Sequence, residues 1–116
     1  MKSYTDLPQS KKLMEILPLE SADMWYWEFP TAPTYNDYGY PMFHKGEDIR
    51  NVPCWSLAAL LGVLPRIDIE KEIWYSENYD YRVKAYIGDG YIGDWFDNPI
   101  DACYEMIIKL HEQKLL

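Results

Sequence analysis

Side chains able to act as nucleophile, base or metal ligand are few and scattered in this chain. The histidines are His44 and His111, and the cysteines are Cys54 and Cys103. Nucleophilic catalysis needs a nucleophile, a base and a group to orient the base. Neither cysteine lies near a histidine in sequence, and no Gly-x-Ser-x-Gly occurs. His44, Glu47 and Asp48 are close together, but no second histidine or cysteine joins them. They read as a solvated polar stretch rather than a metal site, so no metal and no cofactor are expected. Gly88, Gly90 and Gly93 have dinucleotide-motif spacing, yet the segment after them reads as a strand. That motif needs a helix N-terminus to hold phosphate, so a hairpin turn explains the glycines better. Asp89, Asp94 and Asp97 flank Trp95. Two carboxylates beside an aromatic could perform acid–base work on a sugar or line a small-molecule pocket. Turns are rich in aspartate for other reasons, and a small domain rarely forms a deep cleft.

The aromatic content is the anomaly. Eleven Tyr, five Trp and three Phe make up 16% of 116 residues, which excludes a wholly disordered chain. Tyr and Trp are also enriched at the energetic centres of protein–protein interfaces. Trp25 or Trp27, Trp55 and Trp95 are expected in the core. Trp74 falls among Asp68, Glu70 and Glu72, where it is either a contact residue or covered by a loop. The candidate protein-contact residues are Tyr35, Tyr38, Tyr40, Phe43, Trp74 and Tyr86.

Eleven Lys and Arg against 19 Asp and Glu give a net charge of −8. Direct binding to a phosphate backbone normally needs a basic patch and is not expected. An acidic face could instead imitate DNA and inhibit a nuclease, with Asp68, Glu70 and Glu72 spaced about 7 Å apart along a strand. Arg82 and Lys84 on the neighbouring strand would neutralise that face. The first residues carry no apolar leader, and the longest apolar run, Leu57 to Leu64, is too short to cross a bilayer. The expectation is a cytoplasmic protein, off the membrane, with both cysteines as buried free thiols.

These residues are set on a short series of elements. Ser10 to Leu17 reads as a helix capped by Ser10, and Met24 to Phe29 as a strand with three aromatics on one face. Residues 30–53 hold four prolines and two glycines and read as a long irregular loop, often a functional feature. Trp55 to Leu64 has helical spacing with Ser56 as cap, and Pro53-Cys54-Trp55 reads as part of that apolar helical stretch. Ile67 to Tyr75, Tyr79 to Ile87 and Tyr91 to Phe96 read as three consecutive strands, the last two joined by Gly88-Asp89-Gly90. The closing helix has Asn98 as cap, Pro99 in the first turn and a Glu105–Lys109 pair.

The order Pro53-Cys54-Trp55-Ser56-Leu57 into a helix, a Trp-bearing hairpin, then Trp95-x-x-Asn98-Pro99-Ile100-Asp101-Ala102-Cys103 into a helix resembles small phage proteins of the ABA-sandwich type. It is also similar to small proteins of mobile elements in gut anaerobes. The resemblance spans Val52 to Leu110 and implies helix, sheet and helix layers; it brings no activity and no catalytic residues.

The combined expectation is one α+β domain, an antiparallel sheet of three to four strands with helices packed on it in sandwich-like layers. Its function would be non-enzymatic, a phage or mobile-element accessory protein that binds another protein or itself. A two-fold dimer would cover Trp74 and Tyr86 while Arg82 and Lys84 meet Asp68 and Glu70 of a twin.

Overall fold

The computed structural model describes residues 2–26, 52–65, 69–75, 80–87 and 89–116, with backbone alone for 69–75 and Ile87. The elements are α1 (Leu7–Met14), a short 3-10 turn (Leu19–Ser21), β1 (Met24–Tyr26), β2 (Val52–Cys54), α2 (Leu57–Val63), β3 (Ile69–Tyr75), β4 (Tyr81–Ile87), β5 (Gly90–Ile92) and α3 (Pro99–Glu112). The α+β class is as expected. The strands divide between two antiparallel sheets, β1–β2 and β3–β4–β5. Tyr35, Tyr38, Tyr40, Phe43, Trp27, Phe29, His44, Glu47, Asp48 and the side chain of Trp74 lie outside the described residues.

The first helix begins earlier than its apolar spacing suggested. Asp6, not Ser10, is the cap: its carboxylate accepts from the Gln9 N–H at 2.9 Å, and the Gln9 side-chain oxygen accepts from the Asp6 N–H at 3.1 Å. This reciprocal box satisfies two otherwise orphaned donors, and Pro8 sits in the first turn, where its missing N–H costs nothing. Ser10 is instead buried, its hydroxyl 2.7 Å from that of Thr5.

Cys54 is on a strand, not in a helical stretch. β2 pairs with β1 through Met24↔Cys54, Trp25↔Pro53 and Tyr26↔Val52. Both strands of a two-stranded sheet are edge strands, the setting in which a proline inside a strand is tolerated. Thr5 joins this sheet to the rest of the molecule. Its N–H donates to the Trp55 carbonyl, its hydroxyl accepts from the Trp55 N–H, and its carbonyl accepts from the Tyr26 hydroxyl at 2.8 Å. Met24, Tyr26, Val52 and Cys54 form a small cluster around this seam.

The main core joins α1, α2, α3 and β4, with Leu13, Trp55, Leu60, Leu64, Val83, Ile100, Met106 and Ile107 at its centre. α2 starts at Ser56, whose hydroxyl accepts from the Ala59 N–H as expected; Asp23 in turn accepts from the N–H and hydroxyl of Ser56. α3 has the expected start: Asn98 caps the Asp101 N–H at 2.8 Å, and Pro99 follows it. Lys109 does not serve Glu105 but reaches Asp94 beyond β5, at 2.6 Å. α3 packs on β4, burying Val83 and Ala85, and so leaves the alternate residues of β4 on the opposite side.

Candidate functional site

That opposite side is assembled by a hairpin whose register is fixed at its turn. β4 and β5 pair through Ile87↔Gly90, Tyr86↔Tyr91 and Ala85↔Ile92. The bridge Tyr81↔Phe96 continues the same register, which places Trp95 opposite Arg82 and Gly93 opposite Lys84. Ile92 and Phe96 turn toward the core, while Tyr91 and Trp95 turn away. Trp95, expected in the core, is 41% exposed because its strand position faces the side that α3 does not cover. Tyr91 is 50% and Tyr86 42% exposed.

Gly93 is the structural key to this face. Its φ is +142°, and a Cβ built on it would lie 2.1 Å from the Val83 carbonyl oxygen. Only glycine fits such a position. Being without a side chain, it also leaves a gap between Tyr91 and Trp95. The Arg82 guanidinium carbon sits 4.2 Å from the Trp95 ring centre and 5.3 Å from that of Tyr91. The Lys84 ammonium lies 4.6 Å from the Tyr91 centre, and Tyr86 meets Tyr91 edge-on at 6.1 Å. A cation held over a ring face is stabilised by about 0.5–1 kcal/mol when partly exposed. The Nε of Arg82 is buried and has no acceptor among the described residues.

The acids proposed for catalysis do not converge. Asp89 stands exposed in the tight turn between Ile87 and Gly90. Asp94 is tied to Lys109, and Asp97 accepts from the Asn98 side chain. A cavity of about 580 Å³ lies elsewhere, lined by Leu17, Pro18, Ala59, Val63, His111 and Leu116 among others. Among the described residues no group of His, Cys, Asp and Glu is arranged to hold a metal, and no helix is long and apolar enough to cross a membrane. Cys54 and Cys103 are buried free thiols; burial pushes Cys103 up to about 12 and also raises Cys54, so neither is poised as a nucleophile.

A second polar centre ties residue 2 to the start of α3. Lys2 bridges Asp6 at 2.8 Å and Asp101 at 2.9 Å, and Gln9 and Asn98 also donate to Asp101. Burial acts to raise the Asp101 carboxyl, but the hydrogen bonds from Lys2, Asn98 and Gln9 outweigh it and hold it below the ordinary value. Every member is satisfied, so this centre is a fastening.

Of the candidate contact residues, Tyr86 is on the exposed face, and Trp74 lies opposite Arg82 in the backbone register of β3 and β4. Tyr91 was not singled out from the sequence, and Arg82 was named there only as a charge set against Asp68 and Glu70. The pairing of Ile87 with Gly90 sets Tyr86 against Tyr91 and, continued along the strands, Arg82 against Trp95, so counting outward from the Asp-Gly signal would have placed both. No protein-family model matches the chain, and no curated protein or solved structure matches it either.

Proposed function

We propose that this chain is a non-enzymatic protein-binding module that acts through the open face of β4 and β5. The observation that carries this reading is the concentration of Tyr86, Tyr91 and Trp95 around Arg82, each ring 40–50% exposed. Tyr, Trp and Arg are the residue types that dominate binding energy at protein interfaces. Here the rings are held by cross-strand pairing, so they lose little freedom when a partner covers them. The sequence resemblance adds an accessory role in a phage or mobile element.

The alternatives have less behind them. A nucleic-acid mimic needs an uninterrupted acidic row, and the backbone register sets Lys84 opposite Glu70. A small-molecule site at Asp89, Asp94 and Trp95 needs a cleft, and the cavity described above is lined by none of them.

The test is affinity capture from extracts of cells that carry this chain, comparing wild type with Tyr86→Ala and Tyr91→Ala. Both variants should lose the captured partner while melting within a few degrees of wild type. Full capture by both, or melting temperatures lowered so far that the rings prove structural, would sink the reading.

A further inference from the structure

The contact face has a charge polarity along its length. Arg82 lies at one end of β4, and its Nε has no acceptor among the described residues. Asp89 lies in the turn at the other end, exposed and without an ion-pair partner among the described residues. Five residue steps along the strand take Arg82 to Ile87 at the turn, about 16 Å. Tyr91 and Trp95 line the way between them, with Tyr86 beside Tyr91.

We infer that the occupant of this face is a second copy of the chain, docked about a two-fold axis through its middle. A two-fold interface brings residue i of one subunit to residue j of the other, and j to i. A patch with a cation at one end and an acid at the other is complementary to itself in that arrangement. Arg82 of each subunit meets Asp89 of its twin, twice over, and the six rings close on each other between the two ion pairs. An exposed aromatic face is thereby removed from water. A phosphodiester strand fits less well: Asp89 stands at one end of the face, and the chain is at −8. The inference rests on reading this face as a contact surface.

Charge reversal tests it with purified protein alone. Light scattering from about 1 μM to about 500 μM spans the range of a weak specific interface. The wild-type mass should rise with concentration from 13.8 kDa to twice that value. Arg82→Glu and Asp89→Lys should each weaken association about tenfold or more, since one substitution alters both symmetric contacts and replaces attraction with repulsion. The double variant Arg82→Glu/Asp89→Lys should recover most of the wild-type association. Added salt should weaken the wild-type dimer. Arg82→Glu also removes a ring contact within the subunit, so circular dichroism must show a native fold; Asp89→Lys alters an exposed turn and stands as the independent variant. A wild type that stays monomeric throughout overturns the inference while leaving the capture experiment intact. A dimer indifferent to Asp89→Lys, or one not restored by the double change, also overturns it.

Discussion

Replacing Gly93 by alanine attacks the aromatic face through its backbone. The substitution imposes two costs. A φ of +142° is one that side chains rarely adopt, with a strain of about 1–3 kcal/mol. The added Cβ would also lie 2.1 Å from the Val83 carbonyl oxygen, a backbone atom in the middle of β4 that cannot swing away. Relief requires β5 to move off β4, which breaks the pairing of Trp95 with Arg82. The combined loss should be about 2–4 kcal/mol, a fall in melting temperature of about 8–20 °C for a domain of this size. Gly62 is the control. It lies in α2, and nothing comes within 4 Å of a Cβ placed there. Gly62→Ala should stabilise by about 0.4–1 kcal/mol by restricting the unfolded chain and favouring helix. Calorimetry on both variants, with tryptophan fluorescence following Trp95, reads out the comparison. If Gly93→Ala melts within about 2 °C of wild type with an unchanged spectrum, the account of the slot between the rings is wrong.

Asn98→Ala should cost about 1 kcal/mol or more, because it removes the α3 cap from a buried position and one donor to Asp101, and chemical denaturation will measure it. The depressed Asp101 carboxyl gives stability that is complete above the unfolded carboxylate value of about 4 and is lost as pH falls through the lower folded value; Lys2→Met should flatten that acid limb in melts between about pH 2 and pH 6. Cys103 is raised, so its contribution runs the other way: stability is complete below the unfolded thiol value of about 8.5 and declines as pH rises toward 12. Both thiols should resist alkylation in the native state at pH 8 and react only on unfolding, which mass spectrometry after timed labelling will show.

How much of this was legible in the sequence depended on how local each determinant was. Asn98-Pro99 announces α3 because cap and first turn are consecutive residues, and Ser56 announces α2 in the same way. Asp6-x-x-Gln9 carried the same grammar for α1, but the apolar spacing after Ser10 outweighed it. β2 was hidden because a proline stands inside it and an apolar run continues past it; its partner β1 lies some thirty residues away. Trp95 was misplaced because size suggested burial, whereas the outward face of a strand depends on register and on which side a helix covers. The exposed face became visible only when the hairpin register and the position of α3 were combined. Tyr35, Tyr38, Tyr40 and Phe43 stand outside the described residues, so their role as contacts rests on composition alone.

The fastening of Lys2 to Asp101 also has a consequence in time. The two residues are 99 positions apart, and Thr5 is bonded to Trp55 across 50. At about 5–20 residues per second, Lys2 is made roughly 5–20 s before the residue that will hold it. Nor can α1 close its share of the core until α3 arrives. Over those seconds the core that Leu13 and Leu17 share with α3 stays incomplete. A chain with such distant closures gains little from folding piecewise during synthesis, and its commitment to the native state comes as a single late event after the last helix has emerged.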